Sequence, residues 1–232
     1  MTGVFAHRGA HLKERDNTLG AFHDAVALGV AGVELDVRRT LDGVLVVHHD
    51  PSIDSVALAH TRAKDLPDYV PTLDEAMDAL RGVTVNVEIK NSKDPNEPVY
   101  DESGTFVREV LDFLHGAEVA SSVIISCFDL TTCAQVRDYD IDMRVGWLIW
   151  DVEAESALVE AHVLGLDALN PYFTLVTPAT QRKASELGLE LNVWTVNADD
   201  DIEAMLAIGV ANIITDQPAR ALNLVTGRSA GI

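Results

Sequence analysis

The chain has 232 residues, 47% hydrophobic and 23% charged, enough apolar side chain for one large buried core and the wrong composition for a disordered or coiled-coil chain. Seventeen lysines and arginines face 37 aspartates and glutamates, a formal charge of −20, which repels phosphate backbones and anionic lipids and excludes a generic nucleic-acid or membrane-surface binder. Most of the acidic excess serves solubility, no run nears the roughly 18 apolar residues of a membrane span, and the opening residues lack the basic start of a secretory signal. A cytoplasmic protein with no membrane insertion is expected, and its two cysteines, Cys127 and Cys133, are too few for a disulfide framework and read as idle thiols.

Short apolar, β-branched runs alternate with longer amphipathic stretches along the chain. Val4 to His7 reads as a first strand, followed by a helix from Thr18 to Leu28 that stops at Gly29. Gly32 to Val37 is the second strand, and Asp42-Gly43 turns the chain into an antiparallel partner from Val44 to His48. A polar segment reaches Pro71, where Thr72 and Glu75 form the capping box of a helix ending near Gly82. Val83 to Ile89 is the next strand, and the acidic, proline-containing stretch SKDPNEPVYDESG reads as a surface loop at the edge of a site.

Helices Phe106 to Leu114, Thr131 to Arg137, Ala154 to Leu164, Ala179 to Leu187, Ile202 to Ile208 and Pro218 to Val225 then alternate with strands Val123 to Ser126, Met143 to Trp150, Ala168 to Asn170, Leu189 to Val196 and Asn212 to Thr215. With the Asp42-Gly43 hairpin set aside as an arm, eight strands each have a helical return, at about 29 residues per unit, and a single-domain (β/α)8 TIM barrel accommodates that count. A doubly wound open sheet is the runner-up, weakened by the lack of a Gly-x-Gly-x-x-Gly or Walker lysine loop. The tail from Thr226 to Ile232 is expected to fray.

The C-terminal strand ends of such a barrel form its active face. The first ends in His7-Arg8-Gly9, a candidate base beside an anion clamp, with a glycine that lets backbone approach a ligand. Glu34 and Asp36 lie two apart on the second strand and share a face, so they repel unless a cation or a shared proton sits between them. With Val33, Leu35 and Val37 facing the helices, the two acids face the centre. Glu88 and Lys90 repeat the arrangement, which adds a third oxygen ligand for a hard divalent cation, Mg2+ or Ca2+, and a point positive charge for a developing oxyanion. His48-His49-Asp50 adds one more imidazole to the mouth, since adjacent residues point opposite ways. Together these groups describe metal-assisted acid/base chemistry on a phosphate ester.

The motifs HRG, DNTLGAF, VELDVRRTLDGVLVVHHDP, PTLDEA, VNVEIKN, ISCFD, LNVWTVN and ANIITDQP resemble those of the glycerophosphodiester phosphodiesterases over nearly the whole chain. The resemblance implies a TIM barrel that uses a divalent cation to hydrolyse a small glycerophosphodiester to glycerol 3-phosphate and an alcohol, through a cyclic phosphate. It makes Glu34, Asp36 and Glu88 the metal ligands and His7 and His49 the acid/base pair. Arg8 and Lys90 match phosphate-contacting positions, and Trp194 matches a mouth aromatic that touches substrate or merely packs the rim. Phe128 and Asp216 match strand-end positions without a defined role.

One departure stands out: the family's Pro-Glu-Asn-Thr is Arg15-Asp16-Asn17-Thr18 here. The shorter Asp16 is expected to lengthen its contacts or pass them through water, while Asn17 and Thr18 read equally well as site residues or as a helix cap. Only 37 residues separate Asp50 from Glu88, too few for an inserted domain, which leaves substrate selection to short loops such as Asp94 to Gly104. A related barrel phosphodiesterase acting on lysophospholipids and a catalytically silent binding barrel are the rival readings.

Overall fold

The computed structural model describes residues 2–93, 97 and 99–229. The elements follow in chain order as β1 (Gly3–His7), α1 (Leu19–Leu28), β2 (Gly32–Arg39), β3 (Leu45–Val47), β4 (Ser52–Ile53), β5 (Val56–Ala57), α2 (Leu73–Ala79) and β6 (Thr84–Ile89). They continue as α3 (Thr105–Gly116), β7 (Val123–Cys127), α4 (Leu130–Tyr139), β8 (Arg144–Ile149), α5 (Ala154–Val163), β9 (Ala168–Pro171), α6 (Pro178–Leu187), β10 (Glu190–Val193), α7 (Asp199–Ile208), β11 (Asn212–Thr215) and α8 (Pro218–Ser229).

Parallel pairing runs β1-β11-β10-β9-β8-β7-β6-β2, and β1 also pairs with β2, so eight strands close on themselves. Closure overturns the open doubly wound alternative. β3 lies outside this ring as the antiparallel arm on β2, with Val37 opposite Val47, and the polar segment after Asp50 carries a small hairpin of β4 and β5 that periodicity did not predict.

Side-chain alternation along the strands sorts the interior. Val33, Leu35 and Val37 belong to one large cluster with Phe22 and Ala25 of α1 and Leu73, Ala76 and Met77 of α2, while Phe5, Ile124 and Ile214 form a separate small cluster within the barrel. Below the mouth the interior is polar, with Asn212 donating to Asn192 at 2.7 Å and Asn192 to Asn170 at 3.0 Å. On neighbouring strands a large residue sits beside a small one, Phe5 of β1 pairing with Gly32 of β2. A Cβ on Gly32 would lie 2.5 Å from the Phe5 ring and 2.7 Å from the Thr84 carbonyl oxygen, so Gly32→Ala is expected to cost about 1–3 kcal/mol, read as a lowered thermal midpoint.

Local signals set most helix ends. Thr18 caps α1 by accepting from the Ala21 N–H, Gly29 (φ 75°) closes it in the left-handed region, and the Thr72–Glu75 capping box starts α2. Helix α7 begins three residues before the predicted Ile202, because Asp199, Asp200 and Asp201 occupy its first turn, where carboxylates complement the helix dipole. Helix α8 extends past the predicted Val225 to Ser229, and the Thr226 hydroxyl donates to the Leu222 carbonyl at 2.8 Å. The last three residues of the expected frayed tail, 230–232, lie outside the described residues, as do 94–96 and 98 of the loop expected to select substrate.

Candidate active site

Seven of the eight residues singled out from the sequence stand on or just past barrel strands, and the eighth, His49, follows the β3 arm. Glu34 and Asp36 come from β2 and Glu88 from β6, whose register sets Asp36 beside Glu88. One oxygen from each carboxylate lies within 4.8 Å of the other two, with all three residues buried. Lys90 follows β6, and its ammonium lies 2.9 Å from Asp36 Oδ1 and 2.6 Å from Glu88 Oε1.

Arg8 has φ 52°, a left-handed backbone uncommon for a residue with a Cβ. It sits on a loop that doubles back on α1, where Asn17 donates its N–H to the Arg8 carbonyl at 2.9 Å. Gly9 (φ 86°) completes that bend, since a Cβ there would lie 2.8 Å from the backbone of Ala21. The Arg8 N–H donates to Glu34 Oε2 at 3.0 Å, and its guanidinium Nε lies 3.3 Å from Asp36 Oδ2. Asp16 accepts from Arg8 at 3.1 Å.

The Asn17 and Thr18 alternatives are both realised. Thr18 is the cap of α1, and buried Asn17 (φ 55°) donates its amide to Asp36 Oδ2 at 2.7 Å.

The imidazoles stand on opposite flanks. His7 Nδ1 lies 2.6 Å from Asp216 Oδ1, and its Nε2 lies 3.8 Å from Glu34 Oε2. His49 has Nδ1 2.8 Å from Asp50 Oδ1. The His48 N–H donates to the Asp36 carbonyl at 2.9 Å, which anchors the arm beside the carboxylates. His49, not His48, lines the central cavity of about 100 Å³ together with His7, Arg8, Glu34, Glu88, Lys90 and Trp194. The adjoining cavity, about 550 Å³, shares His49, Glu88, Lys90 and Trp194 and is walled by Trp150, Asp129 and Asp151. Trp194 packs edge-on against Phe128 and Tyr172 at 5.3 and 5.4 Å and donates its indole N–H to the Asn170 carbonyl at 2.8 Å, so it packs the rim and lines the site at once.

Electrostatics divide the three carboxylates. Burial, then the charges of Asp36 and Glu88, push Glu34 well above the ordinary carboxylate range. Burial also raises Glu88, against the pull of Lys90. For Asp36 burial is outweighed by Lys90 and Arg8, which hold it far below that range. Burial and the Lys90 charge lower His49. Three buried carboxylates thus share two cationic side chains, and Glu34 is the one left to a backbone N–H. An all-oxygen, crowded and under-neutralised donor set fits a hard divalent cation.

Three residues that were not singled out, Arg38, Asn197 and His11, support the site together with Asp216, which was matched as a strand-end position without a defined role. Arg38 continues the Glu34, Asp36 alternation on β2, the one signal that marked it. It pairs with Glu97 through two contacts of 2.7 Å and donates to the His49 carbonyl at 2.8 Å. Asp216, Asn197 and His11 converge from far along the chain: Asp216 Oδ1 lies 3.1 Å from His11 Nε2, and Asp216 Oδ2 accepts from Asn197 at 2.7 Å. Both cysteines are buried as expected, and burial pushes the Cys127 thiol up to about 12.

The fold and its mouth define a (β/α)8 barrel with a buried carboxylate cluster and two imidazoles on one cavity. The glycerophosphoryl diester phosphodiesterase family model matches residues 7–69 and 55–220. A glycerophosphodiester phosphodiesterase of Caldanaerobacter subterraneus is 29% identical, over 97% of this chain and 98% of its own. The chain belongs to the glycerophosphoryl diester phosphodiesterase family. Among solved structures, a glycerophosphodiester phosphodiesterase from Parabacteroides distasonis superposes with TM-score 0.87 at 24% identity, covering 98% of both chains. An Oleispira antarctica phosphodiesterase in complex with the product sn-glycerol-3-phosphate superposes with TM-score 0.82 at 18% identity over 97% of both chains. These likenesses extend to the fold.

Proposed function

We propose that this chain hydrolyses small glycerophosphodiesters to sn-glycerol 3-phosphate and an alcohol, with Glu34, Asp36 and Glu88 holding Mg2+ or Ca2+. The observation that carries this reading is the convergence of that carboxylate cluster with two imidazoles and two cationic side chains on one cavity, in a member of this family. When bound, the cation supplies Lewis-acid polarisation of a phosphate oxygen and lowers the pKa of a coordinated hydroxyl. Arg8 and Lys90 bind and stabilise the nonbridging oxygens.

One of His7 and His49 takes the proton of the glycerol 2-hydroxyl, whose oxygen bonds to phosphorus as the P–O bond to the alcohol breaks. The other histidine protonates that departing oxygen, leaving a cyclic phosphate. With the roles reversed, water gives up a proton, attacks phosphorus and reopens the ring at the 2-oxygen, which is reprotonated. The central cavity holds the glycerophosphate, and the adjoining one, where Trp150 is 61% exposed, receives the alcohol. Trp194 borders both. No helix among the described residues is long and apolar enough to cross a membrane. The net charge of −20 supports the reading of a cytoplasmic enzyme that binds neither nucleic acid nor membrane surface.

Incubation of the purified protein with glycerophosphocholine and Mg2+ or Ca2+, followed by mass spectrometry, is expected to yield sn-glycerol 3-phosphate and choline. Cleavage of lysophosphatidylcholine with glycerophosphocholine untouched, or release of phosphocholine in place of choline, would overturn the reading.

A further inference from the structure

The closure of the barrel sets Ala6 beside Thr215, so the first and last strands end together and their next residues, His7 and Asp216, meet. A carboxylate accepts hydrogen bonds and donates none. Asp216 Oδ1 lies 2.6 Å from His7 Nδ1 and 3.1 Å from His11 Nε2, so each imidazole presents an N–H to it. Asp216 Oδ2 accepts from the Asn197 amide at 2.7 Å, and the Asp216 N–H donates to Asn197 Oδ1 at 2.9 Å. The Thr215 hydroxyl donates to that same Asn197 oxygen at 3.1 Å. The carboxylate is therefore gripped on both oxygens and through its own backbone, and the carboxamide gripping it is itself anchored. His7 Nε2, on the far side of the ring, faces the cavity 3.8 Å from Glu34 Oε2.

We propose that Asp216 is the positioning residue of the active site: held by Asn197 and His11, it keeps the His7 proton on Nδ1 and so presents an unprotonated Nε2 to the substrate in the neutral enzyme. The proposal rests on His7 being one of the acid/base pair. Asp216 acts through His7, whose Nδ1 lies 2.6 Å from its Oδ1. An imidazole has one proton to place when neutral, and the group that accepts it decides which nitrogen is left to react. Asp216→Asn keeps the shape but offers an amide N–H to Nδ1, which moves the imidazole proton to Nε2 and leaves the wrong nitrogen facing the ester. His11→Gln keeps a donor toward Asp216, whereas His11→Ala removes one.

Two measurements test this. In ¹⁵N NMR of the neutral imidazoles, the wild type is expected to show His7 with the proton on Nδ1 and Asp216→Asn with it on Nε2. In kinetics on glycerophosphocholine, Asp216→Asn is expected to lower kcat about 10²–10³-fold with KM nearly unchanged. It should add almost nothing in a His7→Ala background, because groups that act as a unit are not additive. Loss of activity in His11→Ala should be restored by His11→Gln. A wild-type His7 carrying its proton on Nε2, or kcat losses that multiply in the double variant, would overturn the proposal. The NMR result stands whether or not glycerophosphocholine is the substrate, so failure of the functional reading and failure of this one are distinguishable.

Discussion

His49→Ala is expected to lower kcat on glycerophosphocholine about 10³–10⁴-fold, the upper part of what a positioned general acid or base supplies, while KM and the thermal midpoint stay close to wild type. The imidazole is half exposed at the cavity wall and its Nδ1 is engaged by Asp50 at 2.8 Å, so truncation opens space without leaving a buried group unsatisfied. The backbone of the arm remains pinned by Arg38, whose Nε donates to the carbonyls of His48 and His49 at 3.2 and 2.8 Å. His7→Ala should produce a loss of the same order. A single-turnover measurement that retains wild-type rates in either variant would remove that histidine from the chemistry.

Chelation of divalent cations is expected to abolish turnover, and readdition of Mg2+ or Ca2+ to restore it. The structural consequence is equally measurable, because a cation held by the folded carboxylate cluster, as proposed, has no comparable site on the unfolded chain. At 100-fold over its dissociation constant, such a ligand adds about 2.7 kcal/mol, which for a chain of this size raises the thermal midpoint by about 5–10 °C. Glu34→Gln should erase most of that rise. It removes the carboxylate that has no cationic side chain paired with it, and an amide in its place still accepts the Arg8 N–H at 3.0 Å. Asp36→Asn should cost the apoprotein more, because it strips the shared partner from Lys90 and Arg8, 2.9 and 3.3 Å away, leaving buried charge poorly compensated. A midpoint unmoved by either cation in the wild type would exclude these residues as its ligands.

Glu34 and Asp36 were legible because strand alternation is local: once Val33, Leu35 and Val37 face the helices, the residues between them have one direction left. The same rule on β2 reaches Arg38, which was not singled out because an arginine at a strand end looks like any solvated charge until Glu97 meets it at 2.7 Å. Capping signals were also local, as Thr72 and Glu75 attest. The β4–β5 hairpin was missed because two strands of two residues each carry no periodicity. The Arg8–Asp16 contact was not legible, because it depends on the left-handed turn at Arg8, which brings the guanidinium to within 3.1 Å of the carboxylate.

By itself, the sequence determined the order of strands and helices, the face each strand turns inward and the identity of the acids, bases and cations at the mouth. These follow from side-chain periodicity, capping chemistry and residue type, all of which act within a few positions. Tertiary structure decided the partnerships. His7 and Asp216 stand 209 positions apart, and their hydrogen bond exists because the eighth strand pairs with the first. Strand closure, register and the path of a short loop are properties of the whole assembly, and they decide which carboxylate meets an imidazole and which crowd together at the mouth.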